Sequence, residues 1–162
     1  RAAIVRPDPA VVRRLVFVCH GNICRSAFAD VVARTLGANV ASFGLSTSRG
    51  KGAHEPAIAT AAALGVDMRH HRTTRVQDFV AQPGDLLIGM ETRHLRRMAA
   101  MPTLAGLPRT LLGLWAQPIM PHLHDPYHLD PRYMATCLTR IRTATERLVR
   151  DFPGASDSAM AG

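Results

Sequence analysis

The chain has 162 residues, of which 47% are hydrophobic and 20% charged, and these proportions are typical of one soluble globular domain. No apolar run approaches the roughly 20 residues that a membrane-spanning helix needs, and the first ten residues lack the apolar core of a signal peptide. Three unevenly spaced cysteines do not form the pattern of a secreted disulfide framework, so we expect a reducing, cytoplasmic location.

The first part of the chain alternates between apolar runs and amphipathic segments. Residues 1–10 hold two prolines and no hydrophobic period, which predicts an extended N-terminal arm. The apolar run at 11–18 predicts a central parallel strand that is covered on both faces. The patterns that follow predict a helix over 27–36, a strand over 39–44 and an alanine-rich helix over 56–64.

The same alternation continues to the last helix. The patterns predict a short helix over 76–81, a strand over 85–89, a helix over 92–101 and a strand over 109–115. Residues 118–130 hold three prolines and are expected to be irregular. Asp130 and Pro131 suit the cap and first position of a final helix, whose apolar stripe comprises Met134, Leu138, Ile141 and Leu148.

This order predicts an α/β fold, a three-layer sandwich in which a four-stranded parallel sheet carries helices on both faces. The folded domain is expected to span residues 11–152, and the small, polar residues 153–162 are expected to form a disordered tail. In such sheets ligands bind beyond the carboxyl ends of the strands, which is where Cys19 lies.

The turn after the first predicted strand, the 19–26 loop, has the chemistry of an anion site. Backbone N–H groups of a tight strand-to-helix turn form an anion-binding nest, and the following helix adds its positive end. The planar fork of Arg25 matches two oxygens of a phosphate. The same field favours the thiolate of Cys19, and Ser26 can donate a hydrogen bond to it. The loop therefore predicts attack on a phosphoryl group and a phosphocysteine intermediate; the residues expected to surround the substrate are His20, Gly21, Asn22, Ile23, Cys24 and Ser26.

Such a reaction also needs a group that protonates the leaving oxygen and then activates water, and a carboxylic acid can do both. The candidate is Asp125, which lies in the irregular segment after the fourth predicted strand and hence at the same edge of the sheet as Cys19. Tyr127, two residues later, is expected to line the mouth of the site.

Together these residues resemble the low-molecular-weight protein tyrosine phosphatases. The resemblance is carried by Cys19, by Arg25 after five intervening residues, by Ser26 and by the late Asp125-Pro126-Tyr127, and it covers roughly residues 15–149. The larger tyrosine phosphatases place the aspartate before the cysteine. Within the family the chain is most similar to bacterial members linked to capsule or exopolysaccharide production, through the motifs Gly50-Lys51-Gly52-Ala53, Met90-Glu91-Thr92-Arg93-His94 and Gly113-Leu114-Trp115.

The resemblance implies a role for each matching residue. Cys19 would be the nucleophile, Arg25 the phosphate clamp and Asp125 the general acid. Asn22 would organise the loop, and Ser42 and His70 would support Asn22 by hydrogen bonds. Cys24 would trap oxidised Cys19 as a reversible disulfide.

The same resemblance implies a phosphotyrosine protein as substrate, including a membrane tyrosine autokinase, and a protein that is a monomer or weak dimer. No nucleic-acid partner, membrane insertion or cofactor is expected. The histidines at 122, 124 and 128 lack the spacing of a zinc site, so no metal is expected either.

The chain departs from the family pattern at four positions, and the last two of these bear on substrate preference. Ala27 stands where proline is usual, Phe43 replaces a usual alanine, and Ser48 stands about where some members carry an aromatic wall for the substrate ring. His128 follows Tyr127 where several members have glycine or another aromatic residue.

Two other functions remain open from the sequence. Arsenate reductases share this fold and loop but need further cysteines to relay a disulfide, and residues 25–136 contain none. The formal net charge of +8 allows a non-catalytic binder of phosphoprotein or nucleic acid, although the basic residues lack interleaved aromatics.

Overall fold

The computed structural model describes residues 6–127 and 129–157. The first half of the predicted arm, His128 and the last five residues of the predicted tail lie outside the described residues.

A parallel sheet forms the centre of the molecule. Its strands are β1 (Arg14–Cys19), β2 (Val40–Gly44), β3 (Asp85–Gly89) and β4 (Arg109–Leu111), in the order β2-β1-β3-β4. Every pairing is parallel, and Cys19 pairs with Gly44 at the carboxyl edge. The predicted four-stranded parallel sheet is therefore confirmed.

Helices cover both faces of this sheet, as predicted. The described part of the chain holds α1 (Arg25–Thr35), α2 (Glu55–Ala63), α3 (Thr92–Ala99) and α4 (Pro131–Asp151), together with single 3₁₀ turns at Val76–Asp78 and Leu112–Trp115. Asp130 caps α4, since its side chain accepts a hydrogen bond from the Arg132 amide, and the predicted stripe of α4 is buried.

Alternation along β1 creates two apolar cores. Leu15 and Phe17 face the core beneath α1, α2 and α4, whereas Val16 and Val18 face the core beneath α3. Cys19 continues the first series and therefore emerges on the α1 side, where α1 begins directly after the 19–26 loop.

Two predicted strands are shorter than expected, for reasons of pairing and space. β1 begins at Arg14 rather than residue 11, because its neighbour β3 begins at Asp85, which pairs with Arg14 and forms an ion pair with it. β4 ends at Leu111 rather than residue 115, because the chain turns there and packs the Met120 carbonyl against Gly113. A Cβ atom at residue 113 would lie 1.6 Å from that carbonyl oxygen.

The prediction that the disordered tail begins at residue 153 is wrong for residues 153–157. The Ala155 carbonyl accepts a hydrogen bond from the Asn39 amide at 3.1 Å, and the Asp157 amide donates to the Gly37 carbonyl at 3.0 Å. Ala155 is 2% exposed. Small residues are compatible with disorder, but here they allow the chain to pack closely beside the segment between α1 and β2.

Ala155→Asp is expected to destabilise the fold, because it places a carboxylate in this buried position. We expect a loss of about 2–4 kcal/mol in the free energy of unfolding, measured by urea titration. Val80→Asp is the control, since Val80 is 73% exposed, and it should change the value by less than about 0.5 kcal/mol. Equal stabilities of the two variants would contradict the packing of residues 153–157.

Candidate active site

The 19–26 loop is held by the backbone that follows β2. The Ser46 amide donates to the His20 carbonyl at 2.9 Å, and the His54 amide donates to the Ile23 carbonyl at 2.8 Å. Gly44 makes this approach possible, because a Cβ atom there would lie 2.9 Å from the backbone of the loop. The shape of the loop thus depends on a neighbouring strand end as well as on its own residues.

Asn22 sets the turn of the loop. Its backbone lies in the left-handed region, with φ of 53°, which asparagine tolerates better than most residues. Its side-chain Nδ2 donates to Ser26 Oγ at 2.9 Å and to Ser42 Oγ at 3.1 Å, and its Oδ1 accepts from the Thr74 amide at 3.1 Å. Every polar atom of this buried amide is therefore used.

The support that the resemblance implied for Asn22 is present at Ser42 but not at His70. The ring that contacts Asn22 is His71, whose Nε2 donates to the Asn22 carbonyl at 2.7 Å, whereas His70 is exposed. Burial lowers the pKa of His71, so the ring is neutral near pH 7. Adjacent residues of this irregular segment project in different directions, and sequence alone did not show which of the two rings points inward.

Ser26 links Asn22 to the predicted nucleophile. Ser26 Oγ lies 2.9 Å from Cys19 Sγ and also accepts a hydrogen bond from Asn22. A hydroxyl has one hydrogen, so the Ser26 hydrogen remains for donation to the sulfur. This arrangement stabilises negative charge on Cys19, which is itself only 3% exposed.

Arg25 is the most deeply buried cation of the site. It is 1% exposed, and its Nη1 donates to Glu91 Oε2 at 2.9 Å and to the Leu123 carbonyl at 2.8 Å. Its Nη2 lies 3.5 Å from Asp125 Oδ2. Burial opposes the charge, but the neighbouring Cys19, Asp125 and Glu91 raise the pKa of Arg25, so the guanidinium stays charged.

Glu91 is a residue of the site for which the sequence predicted no role. The residue follows β3 by two positions, at the same carboxyl edge as Cys19. Cys19 and Asp125 were assigned to the site because each follows a strand and so lies at this edge of the sheet. The same criterion would also have identified Glu91.

The segment that carries Asp125 is attached to the sheet through Leu123. The Leu123 amide donates to the Met90 carbonyl at 3.0 Å, and the Leu123 carbonyl accepts from Arg25. The Asp125 side chain is 39% exposed, and its Oδ1 accepts from the Tyr127 amide at 3.1 Å. The carboxyl group is thus placed beside Arg25 and remains open to solvent.

These groups surround a cleft of about 440 Å³. Its lining comprises Cys19, His20, Gly21, Ile23, Cys24, Arg25, Ser46, Thr47, Ser48, Lys51, Asp125 and Tyr127. A larger cleft of about 690 Å³ lies on the far side of Ser42 and contains none of the predicted nucleophile, clamp and acid.

The departures from the family fall in different places. Ser48 lines the cleft, where it was expected to affect substrate preference. Phe43 is fully buried in the core under α3, with its ring centroid 4.6 Å from that of Phe79, and Ala27 is fully buried in α1.

The three cysteines are all thiols. Cys24 lies directly before α1 with its Sγ 3.5 Å from Met134 Sδ, and burial raises its pKa. Cys137 is half-buried, its Sγ lies 3.5 Å from the His124 carbonyl oxygen, and burial raises its pKa to about 11. Both are therefore protonated near neutral pH and are weak nucleophiles in this state.

Residues 6–127 and 129–157 contain neither a metal-binding cluster nor a membrane-spanning helix. No three His, Cys, Asp or Glu side chains are grouped as a metal site requires. No helix in these ranges has the length and apolarity needed to cross a bilayer.

Comparisons with known proteins identify a family and relatives for this chain. A sequence model of the family described as low molecular weight phosphotyrosine protein phosphatase matches residues 14–155. The low molecular weight protein-tyrosine-phosphatase Wzb of Escherichia coli K12 is 29% identical over 136 residues, covering 82% of this chain and 90% of Wzb. A glutaredoxin arsenate reductase of Synechocystis is 35% identical over 82 residues, covering 49% of this chain and 60% of that protein.

The fold also matches a solved structure. The tyrosine phosphatase Wzb of Escherichia coli K30, in complex with sulphate, superimposes with a TM-score of 0.74 at 24% identity. The match covers 86% of this chain and 97% of that one, and shows that the fold is shared.

Behind Glu91, His94 is a buried ring that the fold holds neutral. His94 Nδ1 accepts hydrogen bonds from the Met90 and Glu91 amides at 3.3 and 3.2 Å, which places the proton on Nε2, 3.6 Å from Glu91 Oε2. Burial, assisted by Arg25 and Arg93, lowers the pKa of His94 to about 4, although Glu91 opposes the shift.

His94→Asn is expected to make folding stability less dependent on pH. In the wild type the unfolded histidine binds a proton near pH 6.5 and the folded one only near pH 4. Stability is therefore lost as pH falls across this window, by about 3 kcal/mol in total.

The free energy of unfolding measured by urea titration from pH 7 to pH 4.5 should fall less steeply for His94→Asn than for the wild type. His70→Asn, at an exposed ring, is the control and should keep the wild-type slope. Equal slopes for all three proteins would show that His94 is not held neutral by the fold.

Proposed function

Since the chain belongs to the low molecular weight phosphotyrosine protein phosphatase family, we propose that the cleft beside the 19–26 loop is where it hydrolyses phosphotyrosine, by way of a phosphocysteine. The observation that carries this proposal is the convergence of three groups: the Cys19 thiol with its Ser26 hydroxyl, the buried guanidinium of Arg25 and the solvent-open carboxyl of Asp125, 3.5 Å from Arg25.

In the first step the Cys19 thiolate attacks phosphorus. The sulfur–phosphorus bond forms while the bond from phosphorus to the tyrosyl oxygen breaks, and Asp125 transfers its proton to that oxygen. Arg25 and the backbone N–H groups of the loop neutralise the equatorial phosphate oxygens. Glu91 and the Leu123 carbonyl hold Arg25 by one nitrogen, which leaves Nη2 facing the cleft.

In the second step water attacks the phosphocysteine. Asp125, now a carboxylate, accepts a proton from the water as the new oxygen–phosphorus bond forms. The sulfur–phosphorus bond breaks and Cys19 leaves as a thiolate, to which Ser26 donates its hydroxyl hydrogen. The products are tyrosine and inorganic phosphate, and Asp125 is protonated again.

Other residues that line the cleft would contact the tyrosyl ring of the substrate. Ile23 and Tyr127 offer apolar and aromatic surface to the phenol ring, and the Tyr127 ring is itself packed 4.7 Å from the His54 ring. His20 and Gly21 contribute lining from the loop.

We also propose that Cys24 protects the nucleophile. Both thiols line the cleft, and the high pKa of Cys24 keeps it from competing with Cys19 for the phosphoryl group. An oxidised Cys19 sulfenic acid would condense with Cys24, releasing water and forming a disulfide that a thiol reductant restores.

The cellular role that this family resemblance favours is removal of phosphate from a bacterial tyrosine kinase that regulates exopolysaccharide production, in the cytoplasm, by a monomer or weak dimer. The similarity to Wzb over 82% of the chain supports the phosphatase assignment on which this role rests.

Arsenate reduction is the second candidate, because the arsenate reductase noted above is 35% identical over about half of the chain. That reaction needs a thiol relay from the nucleophile to an accessible cysteine. Cys137 is the remaining thiol, and its pKa of about 11 and its contact with the His124 carbonyl disfavour attack at neutral pH. Phosphate hydrolysis therefore fits the residues better.

Cys19→Ser and Asp125→Ala test the mechanism on p-nitrophenyl phosphate and on a phosphotyrosine peptide. Cys19→Ser should lower kcat on both substrates by on the order of a thousandfold or more, because the nucleophile is lost. Asp125→Ala should lower kcat on the peptide by about 10²–10⁴-fold but less on p-nitrophenyl phosphate, whose leaving group needs little protonation.

Full turnover by Cys19→Ser would overturn the mechanism, and equal losses for Asp125→Ala on the two substrates would move the general acid elsewhere. Asp157→Ala serves as a carboxylate control and should keep wild-type turnover, because Asp157 lies beside Gly37 and is not among the residues that line the cleft. Arsenate reduction in the presence of thioredoxin or glutaredoxin, lost in Cys137→Ser, would favour the second candidate.

A further inference from the structure

The lining of the cleft combines two kinds of chemistry. Ile23 and Tyr127 offer apolar and aromatic surface, whereas the segment after β2 presents three hydroxyl side chains and an ammonium group. We call the lining from this segment the polar wall; it comprises Ser46, Thr47, Ser48 and Lys51. The phenol ring needs none of these polar groups, so the phosphotyrosine reaction leaves the polar wall unexplained.

The polar wall is held in a defined position by Thr73, which is 3% exposed. The Lys51 amide donates to Thr73 Oγ1 at 2.8 Å, and the Thr73 amide donates to the Lys51 carbonyl at 2.8 Å. The Gly50 amide donates to the Thr73 carbonyl at 2.9 Å, and Thr73 Oγ1 donates to the Ser48 carbonyl. The backbone of residue 51 is therefore tied to the body of the domain.

Charge at the polar wall is unbalanced. Arg49 is neutralised by Asp78, with Nη2 2.7 Å from Oδ1, but Lys51 forms no ion pair with any acidic side chain in the described part of the chain. Asp125 is the one acidic residue among those lining the cleft, and it already lies 3.5 Å from Arg25. The cleft thus carries a cation beyond the one that the transferred phosphate requires.

We propose that Lys51 and the hydroxyl groups of the polar wall form a subsite for a second anionic side chain beside the phosphotyrosine, either a carboxylate or another phosphate. This inference rests on the proposed function, because it concerns the neighbours of the tyrosine in the same substrate. An ammonium on a fixed backbone segment attracts an anion from solution, and the hydroxyls donate hydrogen bonds to its oxygens. The substrate class is a phosphotyrosine within an acidic or multiply phosphorylated stretch.

Three peptides and four variants test the subsite. The peptides carry one phosphotyrosine flanked by alanine, by glutamate or by a second phosphotyrosine. The variants are Lys51→Ala, Lys51→Glu, Lys51→Arg and the control Arg96→Ala, which removes an exposed cation of α3 outside the cleft. The measured quantity is the ratio of kcat/KM for each anionic peptide to that for the alanine peptide, at low and at physiological salt.

The wild type should prefer the anionic peptides by about two- to fivefold, a range that corresponds to an exposed charge pair, and salt should reduce the preference. Lys51→Ala should bring the ratio near one and Lys51→Glu below one, while Lys51→Arg and Arg96→Ala should keep it. If the wild type prefers the glutamate and the phosphotyrosine flanks alike, the subsite binds anions in general. If it prefers only one of them, the subsite is specific for that group.

An unchanged ratio in Lys51→Ala overturns the subsite, and so does an equal loss on all three peptides, which would place Lys51 on the transferred phosphate instead. Failure of the proposed function would show differently, as no phosphate release from any peptide. In that case the affinity for the intact peptides is measured for Cys19→Ser and for the double variant Cys19→Ser/Lys51→Ala. If the ratio of affinities for the anionic and alanine peptides is the same in both proteins, the inference is overturned. If the double variant loses the preference for the anionic peptides, the inference is supported.

Discussion

A buried guanidinium organises this protein. Arg25 begins α1 and is almost completely removed from solvent, and a cation in that position is tolerated only if anions and carbonyl groups surround it. Its partners come from two distant parts of the chain: Glu91 after β3, and Leu123 and Asp125 in the segment before α4. Pairing this one charge therefore brings the end of β3 and the acid-bearing segment to the cysteine loop.

The loop itself depends on a second set of buried polar contacts. Asn22 has a left-handed backbone, and its side chain joins Ser26 within the loop to Ser42 on β2 and to the Thr74 amide. Because Asn22 occupies the Ser26 oxygen as an acceptor, the hydroxyl hydrogen is directed to Cys19. The stabilisation of charge on the sulfur thus begins three contacts away, at Ser42 on the neighbouring strand β2.

The parallel sheet supplies the geometry that makes these contacts possible. All four strands run in one direction, so the residues that follow β1, β2 and β3 meet at one edge. The segment after β1 provides the proposed nucleophile and phosphate clamp, Cys19 and Arg25. The segment after β2 provides the polar wall of the cleft, and the segment after β3 provides Glu91, the partner of Arg25. A site assembled in this way can vary its outer wall, as Ser48 illustrates, without moving Cys19 or Arg25.

Much of this was determined by local sequence. The apolar runs defined the strands, the spacing of Cys19 and Arg25 defined the loop, and the place of Asp125 in the segment after the fourth strand marked it as the candidate acid. These features depend on residues that are close together in the chain, where period and spacing constrain the backbone directly.

Other features were decided by the tertiary structure alone. The choice of His71 over His70 depends on how an irregular segment turns toward Asn22, and the burial of Ala155 depends on the space beside Asn39. The position of Glu91 after β3 is visible in the sequence, but its pairing with Arg25 is set by the folded structure. Each of these contacts joins residues whose separation along the chain exceeds the range of any helical or strand period, so their pairing follows from packing rather than from pattern.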